Sequence, residues 1–227
     1  PSTSLDDATL AATAALVLLS PYTPMLFMGE EWGTRTPFQF FTDHEEDDLA
    51  RSVSEGRVRE FAGFGWDADE IPDPQAAETV EASRLRWDEL NEAEHIRMLA
   101  WYQALTTLRR NLDWSQRTAW PQVDEIDDVL MVTYDDIVVA ANLSGQERPA
   151  PALSTVLLSW DPFDAAAPSL SPGQTLIARR CRGCSWRTRG KTCRSPRPNR
   201  LTSAQKGRYL VDTMQSPARR GFVYPPR

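Results

Sequence analysis

Apolar residues fall into three distinct patterns along the 227 residues. From Leu5 to Leu19 they occupy nearly every position, with Ala and Leu dominant, behind a Ser4–Asp7 pair at capping-box spacing. This predicts a helix over 5–19 that is buried on most sides. Pro21 and Pro24 end it, because proline disfavours helix in the residue before it. The run Met25-Leu26-Phe27-Met28 then predicts a short strand over 24–28, buried on both faces as in a parallel sheet. In the second pattern, Ile96, Leu99, Tyr102, Leu105 and Leu108 recur every three residues, predicting a helix over 92–110 that Met98 and Trp101 widen. In the third, the period drops to two. Residues 129–134 and 137–141 flank Asp135-Asp136 and predict a two-residue hairpin, with further strands at 155–160 and 174–178.

Between the first two patterns lies a loop-rich stretch from Glu30 to about Ala77. It contains TPFQFFTDH at 36–44, a charged helical stretch broken at Gly63 and Gly65, and the proline-punctuated turn IPDPQ at 71–75. Connections this long inside a compact domain are functional or disordered, and the aromatic content argues for function. The fold class expected is therefore α/β over 1–112, followed by a small antiparallel β domain over 118–178.

Charge divides the chain differently. Residues 1–178 hold 31 acids against 11 Lys and Arg, while residues 179–227 hold 14 Lys and Arg against one acid. An acidic body followed by a basic, Arg-rich tail is expected, the tail without a packed core. All three cysteines (Cys181, Cys184 and Cys193) lie in that tail, so the body carries no disulfide framework and fits a reducing cytoplasm. Zinc would need a fourth ligand that the tail does not offer, and its sparse aromatics give no nucleic-acid-binding pattern. The apolar run at 10–19 is too short and interrupted for a membrane span. No cofactor, nucleic acid or membrane partner is expected, and the charges leave the oligomeric state open.

Candidate chemistry concentrates between residues 30 and 48. Glu30 and Glu31 end an apolar run, but adjacent residues of a strand point to opposite faces. A retaining glycosidase needs two carboxyls about 5–5.5 Å apart on one bond, so rim and scaffold roles suit this pair better than catalysis. The acids of DHEEDD at 43–48 resemble a helix start rather than a calcium loop. Flat aromatics bind the apolar C–H faces of sugars while amides and carboxylates take the hydroxyls. If the ligand is a sugar, as the family resemblance of these segments implies, Trp32, Phe38, Phe40, Gln39, Asp43, His44 and Glu31 form the candidate substrate-binding set, with loop packing as the alternative for the phenylalanines and Trp32. His95 is assigned simply to its helix.

LLSPYTPMLFMGEEWG (18–33), TPFQFFTDH (36–44), EGRVREFAGFGW (55–66), IPDPQ (71–75) and LRWDEL (85–90) together resemble the C-terminal part of an α-amylase-family glycoside hydrolase. The 36–44 segment and the 71–75 turn are similar to the branch that releases trehalose from maltooligosyl trehalose. The resemblance implies the last strand and flanking helices of a (β/α)8 barrel, then a β-sandwich domain. It implies hydrolysis of the α-1,4 bond beside the trehalose unit, without a cofactor and with a maltooligosaccharide as partner. It also implies that the family's nucleophile Asp, acid/base Glu and stabilising Asp come from strands four, five and seven. No Asn-His-Asp segment occurs here: His44 precedes Glu45 and His95 precedes Ile96. The resemblance thus implies a C-terminal fragment that is inactive alone. A non-catalytic carbohydrate-binding fragment and part of an α-glucan branching enzyme are the alternatives.

Overall fold

A computed structural model describes residues 2–116 and 120–180, and the account that follows concerns these residues. The cysteines and nearly all of the basic tail lie outside them. Helix α1 runs Asp7–Leu18, and its cap is Asp6, not Ser4: the Asp6 carboxylate accepts from the Thr9 amide at 2.7 Å. The hydrogen bond also holds the Asp6 carboxyl below the usual carboxylate range. Helices α2 (Asp47–Ala62) and α3 (Ala77–Ala82) follow, then the long helix α4 (Ala93–Asn111).

The buried stripe of α4 differs from the one read in the sequence. His95, Met98, Trp101, Tyr102 and Leu105 face inward, whereas Ile96 is exposed. Spacings of three and four keep that stripe under the sheet, and a strict three-residue repeat would drift off it.

The strands are β1 (Gln122–Ile126), β2 (Val129–Tyr134), β3 (Ile137–Asn142), β4 (Arg148–Pro149), β5 (Leu153–Ser159), β6 (Ser169–Leu170) and β7 (Thr175–Arg180). Five of them form an antiparallel sheet in the order β1-β2-β3-β7-β5, and β4 pairs with β6. The Asp135-Asp136 hairpin forms as expected, with Tyr134 opposite Ile137. A second hairpin turns at Asp127-Asp128, both at positive φ, and adds the unforeseen strand β1. Strand β7 continues through Arg179 and Arg180, two residues into what composition assigned to the tail.

Both faces of this sheet are covered, which explains why β2 and β3 are nearly all apolar. Val132, Tyr134, Ile137, Val139 and Ile177 join α1 and α4 in one cluster. Val129, Met131, Val138, Ala140, Leu176 and Ala178 pack with Leu170 and Phe163 on the other side. Trp101 is the hinge pin of the first cluster: it donates to the Ala11 carbonyl at 3.0 Å and meets Trp160 edge-on at 5.6 Å. Arg97 stacks 3.8 Å over the same Trp160 ring and pairs with Asp161 at 2.6 Å. Arg109 donates to the carbonyls of Leu18, Ser20 and Tyr22, which closes the C-terminal end of α1.

Residues 24–28 depart from expectation. Their backbone forms no strand, and Met25, Leu26, Phe27 and Met28 are all exposed, Met25 by 87%. No described strand lies beside them, so neither backbone nor side chains find the cover that a parallel sheet supplies. No helix among the described residues is long and apolar enough to cross a membrane.

Candidate carbohydrate-binding face

Glu30 and Glu31 sit in a 3-10 turn, Glu30–Trp32, rather than at the end of a strand. Two left-handed glycines bracket it, Gly29 at φ 84° and Gly33 at φ 68°. A Cβ on Gly29 would collide with Thr34 and Leu85, so glycine is required there on two counts. The turn folds Glu30 back, where it accepts from the Phe27 amide and the Tyr102 hydroxyl, each at 3.0 Å. Burial, aided by the adjacent Glu30 charge, raises the Tyr102 phenol well above its ordinary range and keeps it a donor. Glu30 is thus held by scaffold partners.

Trp32 points inward and is 2% exposed. Its indole N–H donates to Glu89 at 3.2 Å, and its ring lies 5.2 Å from Trp87. Glu89 is a hub that the sequence reading missed. This buried carboxylate also accepts from the Thr34 hydroxyl at 2.7 Å and the Arg35 amide at 3.4 Å. Desolvation pushes its carboxyl upward, but these bonds and the nearby His95 together outweigh it, leaving the pKa lowered. Its only signal in the sequence was the LRWDEL segment, where an acid between Trp and Leu looks like any surface residue.

The 36–44 loop is pinned through its backbone. The Gln39 amide donates to Ser83 at 3.1 Å, Thr42 to the Pro74 carbonyl at 2.9 Å, and His44 to the Gln75 side chain at 3.3 Å. The turn itself is fixed by Asp73, which accepts from Ser54 at 2.6 Å and from the Gln75 amide at 3.0 Å. Those bonds lower the Asp73 carboxyl. Pinning the backbone leaves side chains outward. Phe38 contacts Phe27 at 5.0 Å and Phe41 at 5.8 Å, and all three rings are exposed in part. Phe40 is exposed as well and carries the Arg57 guanidinium at 5.0 Å, which also covers Phe61 at 4.2 Å. Asp43 is exposed, and Gln39, His44 and Glu31 are half-buried.

The structure therefore holds Phe38, Gln39, Phe40, Asp43 and His44 on one pinned loop and buries Trp32 against Glu89 and Trp87. A surface cleft of about 430 Å³ lies beside the same turn, lined by Ser54, Glu55, Val58, Arg59, Ile71 and Asp73 among others. Asp47 and Asp48, from the acidic run, fall in the first turn of α2, where they complement its dipole.

No family model matches the chain. Curated relatives do. A malto-oligosyltrehalose trehalohydrolase of Mycobacterium tuberculosis H37Rv is 42% identical over 172 residues, covering 71% of this chain and 28% of the relative. One from Brevibacterium helvolum is 51% identical over 193 residues, covering 78% and 32%. The chain thus spans about a third of the length of the relatives it matches, in their C-terminal portion. A crystal structure from Salmonella typhimurium, described as a candidate alpha amylase, superposes with a TM-score of 0.65 at 32% identity, covering 77% of this chain and 31% of that one.

Proposed function

The chain belongs to the malto-oligosyltrehalose trehalohydrolase family, and from that premise we propose that it is the C-terminal portion of a glycoside hydrolase releasing trehalose from maltooligosyl trehalose. The parent reaction is hydrolysis of the adjacent α-1,4-glucosidic bond with retention, through a glycosyl-enzyme intermediate. The observation that carries this reading is the identity of 37–51% to relatives that bear this one name. Residues 24–28 take the place of the last barrel strand, residues 30–77 the loop on the catalytic face, and residues 118–178 the domain that follows the barrel. The exposed apolar run at 25–28 supports that placement, because a barrel strand is apolar on both sides.

Within this reading the 36–44 loop is a sugar-facing wall. Phe38 and Phe40 offer ring surface, and Gln39, Asp43 and His44 offer hydroxyl partners, with Glu31 at the margin. Trp32, buried against Glu89, is not part of the wall. No acid trio of the family's kind is recognisable in these 227 residues, so the chain alone hydrolyses nothing. Two experiments test this. The purified chain incubated with maltooligosyl trehalose should release no trehalose on chromatography, and release would show that its own carboxylates suffice. A chimera carrying residues 2–180 in place of the matching portion of the M. tuberculosis relative should release trehalose. A folded but inactive chimera would sink the family reaction for this chain.

A second reading, a non-catalytic carbohydrate-binding fragment, draws on the same exposed rings. Maltooligosaccharide titration followed by tryptophan fluorescence separates the two: saturation by the isolated chain favours binding without chemistry.

A further inference from the structure

The first turn of α4 carries an arrangement that neither the fold nor the proposed reaction uses. His95 is 4% exposed, and its Nδ1 lies 2.7 Å from the Trp32 carbonyl oxygen. A carbonyl only accepts, so Nδ1 carries the proton and donates it. Nε2 is then the ring nitrogen left to take a ligand, and that buried atom has no hydrogen-bond partner. It faces two carboxylates, Glu92 at 3.9 Å and Glu94 at 3.8 Å. Two carboxylates and a buried, unpartnered ring nitrogen thus face one another, with Arg35 already on Glu94.

We propose that Glu92, Glu94 and His95 bind a divalent transition-metal ion of the zinc class. All three potential ligand atoms lie within 4.8 Å of one another. A tetrahedral ion with bonds of about 2.0–2.2 Å sets its ligands roughly 3.3–3.5 Å apart, so each carboxylate must close on the imidazole by about half an ångström, and the two carboxylates on each other by up to about 1.5 Å. Their side chains are 50% and 40% exposed, so Glu92 can move directly and Glu94 on leaving Arg35, while the buried imidazole stays fixed. A histidine ligand characteristically donates its other ring N–H to a backbone carbonyl, which fixes the tautomer, as Nδ1 does here to Trp32. One imidazole with two carboxylates suits zinc, and three protein ligands leave the fourth position to water.

Two charges oppose the ion. The N-terminus of α4 contributes about half a positive charge, and Arg35 pairs with the Glu94 oxygen that faces His95. Against them stand the two carboxylate charges of Glu92 and Glu94. Arg35 is largely exposed and competes directly for Glu94. Bound metal would displace Arg35 from Glu94 and hold the first turn of α4 through its own three side chains.

The test is calorimetric titration of zinc chloride, at neutral pH, into the full 227-residue chain with Cys181, Cys184 and Cys193 alkylated. One saturable site is expected. Glu92→Gln and Glu94→Gln should each weaken it about tenfold or more, and Arg35→Ala should tighten it by removing the competitor. His95→Asn keeps a donor for the Trp32 carbonyl but removes Nε2, so it should abolish binding with an unchanged far-UV circular dichroism spectrum. Zinc should also raise the Tm of the parent chain and not that of Glu92→Gln, an exposed change that leaves the fold intact. Absence of a saturable site, or a site indifferent to all of these substitutions, would overturn the proposal.

Discussion

Two apolar runs of similar length behave in opposite ways. Val129–Tyr134 becomes β2, paired on both edges and covered on both faces. Met25–Met28 forms no strand and leaves every side chain exposed. Their compositions would not have separated them. The difference lies in what flanks each run: β2 has β1 and β3 within a few residues along the chain, joined by Asp-Asp turns, whereas the 25–28 run has no described strand beside it. Local hairpins complete themselves, but a parallel strand needs partners distant in sequence. An apolar run therefore states a need for burial, and neighbours decide whether it is met.

The largest effect should come from cutting the shared core of the well-covered region. Trp101→Ala removes a buried ring, its bond to Ala11 and its contact with Trp160, and should cost about 3–5 kcal/mol in denaturant unfolding. A loss below ~1 kcal/mol would mean that helices and sheet do not share one core. Next is Glu89→Ala, which strands the Trp32 and Thr34 donors and should cost about 1–3 kcal/mol. Because the folded-state carboxyl is lowered, Glu89 contributes stability at pH values above its ordinary range. That contribution disappears as pH falls through the lowered value. Glu89→Gln should accordingly flatten the acid limb of the stability profile, and an unchanged limb would argue that other carboxylates set it.

Smaller still is Arg97→Ala, which breaks a partly exposed ion pair and a stacking contact at the end of β5. About 1 kcal/mol is expected. A double-mutant cycle with Asp161→Ala would apportion it. The smallest change in stability belongs to the uncovered region. Met25→Ser with Phe27→Ser should alter unfolding by no more than ~0.5 kcal/mol, yet light scattering should show slower aggregation because an exposed apolar patch is removed. A large loss of stability there would mean the run is covered in solution.

Much of the covered region was legible before the structure. α1 and α4 were placed within two residues, and the 135–136 hairpin was read from period-two alternation around two turn-forming acids. The β1 strand was not, since its polar residues (Gln122, Asp124 and Glu125) lie on an exposed edge and carry little apolar signal. In the candidate site, the aromatic loop was legible through its residue types. The inward turn of Trp32 was not, because it depends on Glu89, which lies 57 residues away. The same holds for His95. Its sequence context is an ordinary helix, and only the approach of the Trp32 carbonyl gives its two nitrogens different roles.

The sequence by itself determined where segments start, stop and turn, and which residue types stand together on the 36–44 loop. These properties rest on backbone preferences and periodicity, which act over a few residues. Tertiary structure alone decided which apolar runs find cover, which aromatic faces outward and which carboxylate is buried, because each of those outcomes depends on partners that the chain brings from tens of residues away.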